Sequence, residues 1–164
     1  MHHNILTVPL ETWHIDLMNI REEQLGLVEW VKSEFGSVEA YTAGLMVASG
    51  INNDLKPMSW TVLKDGFPII SGGIYQLTSY MGQAWVMASD DFVKSDLETK
   101  RSVVRRIRKE LKNNKYTRIQ ADTEVSFDIG RRFLESLGFQ EEGVMKGYSY
   151  DGEDCILYGI VKEV

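Results

Sequence analysis

Two carboxylates, Asp122 and Glu124, follow a short run of strand-forming residues from Tyr116 to Ala121. Open α/β sheets commonly place their ligands at this end of a strand, and a carboxylate there can accept a proton directly or through one water. The plainer role for such an acid is to cap the helix that follows. Basic residues form the second concentration of chemistry. Nine of the 18 Lys and Arg residues fall between Lys94 and Lys115, and helical spacing puts Arg101, Arg105, Arg108, Lys109 and Lys112 on one face. That stripe reads as a phosphate-binding surface or, more plainly, as the solvated outer face of an amphipathic helix. Only Lys100 and Arg101, near the helix start, are placed for a pyrophosphate. Cys155 sits in an alternating terminal strand and reads as core rather than nucleophile, and His14 as a packing or surface residue rather than a base. His2 and His3, beside the start methionine, read as a disordered end rather than a metal site.

Composition sets the frame for these groups. The chain has 164 residues, 43% hydrophobic and 26% charged, which is ordinary for a globular protein able to bury its own core without staples. One cysteine makes no internal disulfide, and the N-terminus lacks the charged start and long apolar core of a secretory signal, so a reducing cytoplasm is expected. The longest apolar stretches, such as Gly44 to Ile51, are too short to span a bilayer. The net charge of −6 opposes nucleic-acid binding as a property of the whole surface.

The elements that must position the chemistry follow from periodicity. Trp13, Leu17 and Ile20 predict a helix from Thr12 to about Arg21, and Leu27 to Phe35 a second after a break near Gly26. Ser37 should cap a third, ending near Gly50. Ser59–Lys64 and Phe67–Leu77 predict strands joined at Asp65-Gly66, where both turn residues need positive φ; Pro68 should mark a strand start or edge. A loop from Thr78 to Gly82 precedes a buried strand, Ala84–Ala88. Ser95-Asp96-Leu97-Glu98 reads as a capping box before a helix running to about Asn113. Strand, helix and the strand at Tyr116–Ala121 then imply a parallel pair with a right-handed crossover. Asp128–Leu137 predicts the last helix, and Val144–Tyr150 with Asp154–Val161 a hairpin about Asp151-Gly152. Trp13, Trp30, Trp60 and Trp85 are mostly assigned to core packing. The fold class is α/β: an antiparallel meander plus one parallel pair, flanked by helices, with a C-terminal hairpin, all in one domain over residues 1–164.

The segment Arg131-Arg132-Phe133-Leu134-Glu135-Ser136-Leu137-Gly138-Phe139, followed by Glu141-Glu142-Gly143 and the final hairpin, resembles the C-terminal signature of the GNAT superfamily of acyl-CoA N-acyltransferases. The element order agrees from Thr12 onward. The resemblance implies acetyl-CoA as cofactor and transfer of its acyl group to a small-molecule or protein amine, without a covalent enzyme intermediate. It implies that Val86, Met87 and Ala88 offer backbone groups to the pantetheine arm and the thioester carbonyl, where amide donors stabilise developing negative charge.

Two departures accompany it. Family members carry a glycine-rich phrase that wraps the CoA pyrophosphate at a helix N-terminus. Here the loop is Phe92 to Arg101 with no glycine, so Lys94, Ser95, Lys100 and Arg101 are the expected phosphate contacts, against the charge of Asp96 and Glu98. The tyrosine that protonates the leaving thiolate in many members aligns with Leu134, which leaves Ser126 or a water as substitute acid and Glu124 as the expected base. A GNAT order with both departures, together with the phrases Asp65–Gly73 and Ala84–Asp90, is similar to GNAT-like proteins of short-tailed bacteriophages, some of them virion or morphogenesis components. That likeness implies, as the alternative, a non-catalytic assembly role among other virion proteins, in the virion or the host bacterial cytoplasm.

Overall fold

A computed structural model describes residues 3–50 and 58–163. The elements are β1 (Ile5–Pro9), α1 (His14–Leu17), α2 (Glu22–Phe35), α3 (Val38–Gly50), β2 (Ser59–Lys64), β3 (Phe67–Thr78), β4 (Met81–Ala88), α4 (Asp90–Val93), α5 (Leu97–Lys112), β5 (Arg118–Glu124), α6 (Asp128–Ser136), β6 (Gln140–Met145) and β7 (Cys155–Val161). The strands make a mixed sheet in the order β1-β2-β3-β4-β5-β7-β6. Its one parallel pair is β4 with β5. The expected mixed α/β class, with its meander, parallel pair and closing hairpin, is therefore what the chain adopts.

The described residues divide into two compact units: those up to Gln76 with Trp85–Lys100, and Leu77–Ala84 with those from Arg101 onward. In the first, β1, β2 and β3 pair antiparallel in turn. Asp65 and Gly66 link β2 to β3 with φ of 51° and 83°, the two positive values that an Asp-Gly turn supplies. Pro68 sits one residue into β3, beside a bulge at Val62/Leu63 that absorbs its missing donor. Leu10, Ile15, Met18, Val38, Leu45 and Met87 make this unit's apolar core. Ser37 caps α3 through a 3.0 Å bond from the Ala40 amide, as its position predicts.

In the second unit β5 runs antiparallel to β7, and β7 to β6. Ile119, Ala121, Ile156 and Tyr158 are buried. The register pairs Ala121 with Tyr158 and Thr123 with Ile156, which places them on one face of the sheet. α6 packs on β5, and its Leu134 is buried.

Several expectations are corrected. β1 was not anticipated. Gly26 lies inside α2 instead of breaking it; the break is at Met18–Arg21, where Met18 turns extended. β4 begins at Met81, within the expected loop. β6 ends at Met145 and β7 begins at Cys155, so the last connection is longer than a two-residue turn. Trp13 and Trp30 are substantially exposed, not core. His3 hydrogen-bonds Asp65 at 2.9 Å, while His2 lies outside the described residues.

Candidate functional site

In the first unit, β4 carries Val86, Met87 and Ala88; Met87 is buried and the other two half-buried. The Ala88 amide donates to Gln24 Oε1 of α2 at 3.4 Å. Ser89, fully buried, then ends the strand: its hydroxyl donates to the Ile69 carbonyl at 2.7 Å and accepts from the Phe92 amide at 3.1 Å, capping α4. The Asp90 amide is held by the Asn19 carbonyl at 3.0 Å. The strand end expected to meet the thioester is thus pinned by side-chain and loop contacts.

The entry to α5 differs from the capping box the sequence suggests. Ser95 is buried and donates its hydroxyl to the Phe92 carbonyl at 2.5 Å, satisfying an acceptor at the end of α4. Asp96 makes the cap instead, accepting the Thr99 amide at 2.7 Å. Bonds from Thr99 hold its carboxyl below the usual range. An anion therefore already stands at the α5 N-terminus, where the helix dipole favours negative charge. Lys94 closes α4 with its amide on the Asp90 carbonyl at 2.9 Å, and the Lys100 amide makes the first α5 bond, to the Asp96 carbonyl at 3.2 Å. Lys100 is half-buried, and Arg101, counted with the second unit, is exposed.

The second unit supplies the acid–base groups. Alternation along β5 sets Arg118, Gln120, Asp122 and Glu124 on the face opposite Ile119 and Ala121. The parallel register puts Gln83 of β4 against Gln120. A polar ladder results: Gln120 Nε2 donates to Gln83 Oε1 at 3.2 Å, and Gln83 Nε2 to Asp122 Oδ2 at 3.0 Å. Burial raises the Asp122 carboxyl above its ordinary range, and the Gln83 bond only partly opposes it. Glu124 is raised as well, first by burial and then by the charges of Asp151 and Glu153. Arg118 ends the row with two bonds to Glu142, at 2.8 and 2.5 Å. Gly159 makes room for that pair, since a Cβ there would lie 2.8 Å from Glu142 Cδ and 2.9 Å from Arg118 Nη1.

Tyr148, in the connection from β6 to β7, belongs with this group: the Asp122 charge is the first cause of its raised pKa. Nothing flagged it in the sequence beyond an aromatic in the polar run Gly147-Tyr148-Ser149-Tyr150. Cys155 is buried, and burial with the surrounding carboxylates pushes its thiol up to about 11, so it stays protonated at neutral pH. Ser126 is exposed in the turn before α6. Leu134, at 8% exposure, points into the apolar interior. Among the described residues no cluster could hold a metal ion, and no helix is long and apolar enough to cross a membrane.

With this geometry in place, known proteins supply a fold-level comparison. No family model matches the sequence, and no curated protein is detectably similar to it. Solved structures are. A GNAT-family acetyltransferase from Bacillus anthracis superposes with a TM-score of 0.67 at 11% identity, over 96% of this chain and 94% of that one. Ribosomal-protein-S5-alanine acetyltransferase from Vibrio fischeri gives 0.67 at 16%, over 99% and 96%. The chain has the GNAT fold. A putative acetyltransferase from Salmonella typhimurium, solved with its cofactor acetyl-CoA, gives 0.65 at 11%, over 97% and 94%. Identities this low carry the architecture and leave residue roles to be argued from the chain itself.

Proposed function

We propose that the protein is an acetyl-CoA-dependent N-acyltransferase acting on an amine that bears further positive charge. The observation that carries this reading is the β5 ladder, where Asp122 is a desolvated carboxylate with a raised pKa and a fixed hydrogen-bond partner. A carboxylate raised in this direction is a stronger proton acceptor than a free one, as a base that collects the proton of an attacking amine must be. Glu124, the base expected from the sequence, is a second acceptor on the same strand face. Asp151 and Glu153 lie close enough to raise it further, a potential that attracts ammonium groups. Tyr148, whose hydroxyl pKa the Asp122 charge raises, is a second candidate acid beside Ser126.

Acetyl-CoA, when bound, supplies the thioester carbonyl that the amine attacks. The residues present fit it with one substitution of means. The β4 backbone at Val86, Met87 and Ala88 offers main-chain groups, while Lys94 and Lys100 of the same unit offer cations for the phosphates in place of glycine amides. Asp96 opposes them at the α5 start, and Ser95, whose hydroxyl is spent on Phe92, contributes through its backbone only. The non-catalytic virion or assembly role rests on sequence resemblance alone. This alternative is therefore not favoured.

Thermal unfolding with acetyl-CoA tests the proposal. Ligand at a hundredfold over Kd stabilises by about 2.7 kcal/mol, which for a chain of this size raises Tm by roughly 5–10 °C. Thiol release dependent on a polycationic amine should accompany it. Absence of any shift at millimolar acetyl-CoA overturns the reading.

A further inference from the structure

We propose that the outward face of α5 binds the phosphate backbone of a nucleic acid. The helix carries seven Lys and Arg residues against two Glu in a chain of net charge −6. Val103, Ile107 and Leu111 are buried on its inner side. Arg101, Arg105, Lys109 and Lys112 are exposed on the outer side, and Arg108, also exposed, turns its guanidinium to the Ser136 carbonyl at the end of α6. From Arg101 to Lys112 the stripe runs about 16 Å along the axis, at 1.5 Å per residue. Of the two acids, Glu98 lies in the first turn and Glu110 pairs with Arg106. Among the described residues, the side chains of Arg105, Lys109 and Lys112 have no hydrogen-bond or ion-pair partner.

A merely solvated face gains from mixing signs at i,i+4. This one sets like charges at 101/105, 105/109 and 108/112, each pairing unfavourable in isolation. The helix dipole offsets that only in the last turn. A polyanion removes the repulsion along the whole stripe, and arginines in the row suit phosphate oxygens. Net charge does not oppose it, because screening over about 10 Å at 0.1 M salt makes the local potential decisive.

The test is a fluorescence-anisotropy titration of the full chain with a labelled 20-base-pair duplex and an RNA single strand over a salt series. Length-matched polyglutamate serves as competitor. Each phosphate contact contributes about −0.9 to the slope of log K against log salt on duplex, and about −0.7 on single strands. The triple variant Arg105→Gln, Lys109→Gln, Lys112→Gln keeps good helix formers on an exposed face and should flatten that slope by roughly 2 to 3. A Tm unchanged within a few degrees shows that the variant is folded. Should it melt early, the single variants must each flatten the slope by about 0.7 to 0.9 instead. No binding at 50 mM salt, a slope indifferent to the variants, or equal competition by polyglutamate overturns the proposal. Binding is expected with or without acetyl-CoA, so this result and the acyltransfer result are read separately.

Discussion

Replacing Asp122 by Asn should separate stability from activity. Asparagine keeps an oxygen for the Gln83 Nε2 donor, now 3.0 Å from Asp122 Oδ2, and removes the charge. Losing the charge-assisted part of that bond costs on the order of 1 kcal/mol. Relief of burial works the other way and is the larger effect, because the carboxyl is raised, not lowered, despite the bond. The variant should therefore be as stable as the parent or more so at pH 7, by up to about 1 kcal/mol, or roughly 2–4 °C in Tm. The pH dependence has a fixed sign. An acid whose folded pKa lies above its unfolded value contributes stability that is fully present below the unfolded pKa. That stability is lost as pH rises through the folded pKa. The parent should thus lose stability from this group above about pH 4, and Asp122→Asn should flatten that part of the curve. Activity should move oppositely: without the base, kcat/KM should fall by about 10²–10⁴. Calorimetry across pH 4–8 and a thiol-release assay measure the two. Full activity in the variant, or a Tm that falls together with activity, refutes the reasoning.

Two further substitutions probe the frame. Gly73→Ala puts a Cβ against the Met58 carbonyl and 2.9 Å from Ser59 Cα, both backbone and unable to swing aside, so the β2–β3 pairing must shift. A loss of about 1–3 kcal/mol is expected in denaturant unfolding, and a change under 0.5 would show that the strands part easily. Gln24→Ala frees the Ala88 amide from its 3.4 Å bond. If that amide meets the pantetheine arm, titration calorimetry should show acetyl-CoA bound about two- to fivefold more tightly, the equivalent of one weak competing hydrogen bond; an unchanged Kd removes Ala88 from the site.

By itself the sequence determined most of the local structure. Asp65-Gly66 specified its turn because both residues must take positive φ, Ser37 its cap because a hydroxyl reaches the third amide, and Ile107 and Leu111 their buried face because the helix period aligns them. It also named Asp122 and Glu124, but as residues beyond a strand ending at Ala121, whereas both lie within β5 and pair with β7. Competition among neighbours escaped it. Ser95 and Asp96 both qualify as a cap, and only the folded chain shows the hydroxyl consumed by Phe92 and the carboxylate left to Thr99. β6 stops at Met145 because pairing with β7 begins at Cys155, a tertiary fact that outweighs the local Asp-Gly signal. The ladder from Gln120 through Gln83 to Asp122 joins residues 37 and 39 positions apart. The Asp122 charge also reaches Tyr148, 26 positions along the chain. Such contacts depend on strand register and burial, which no local pattern encodes, and they are what turn an acid at a strand end into a candidate base.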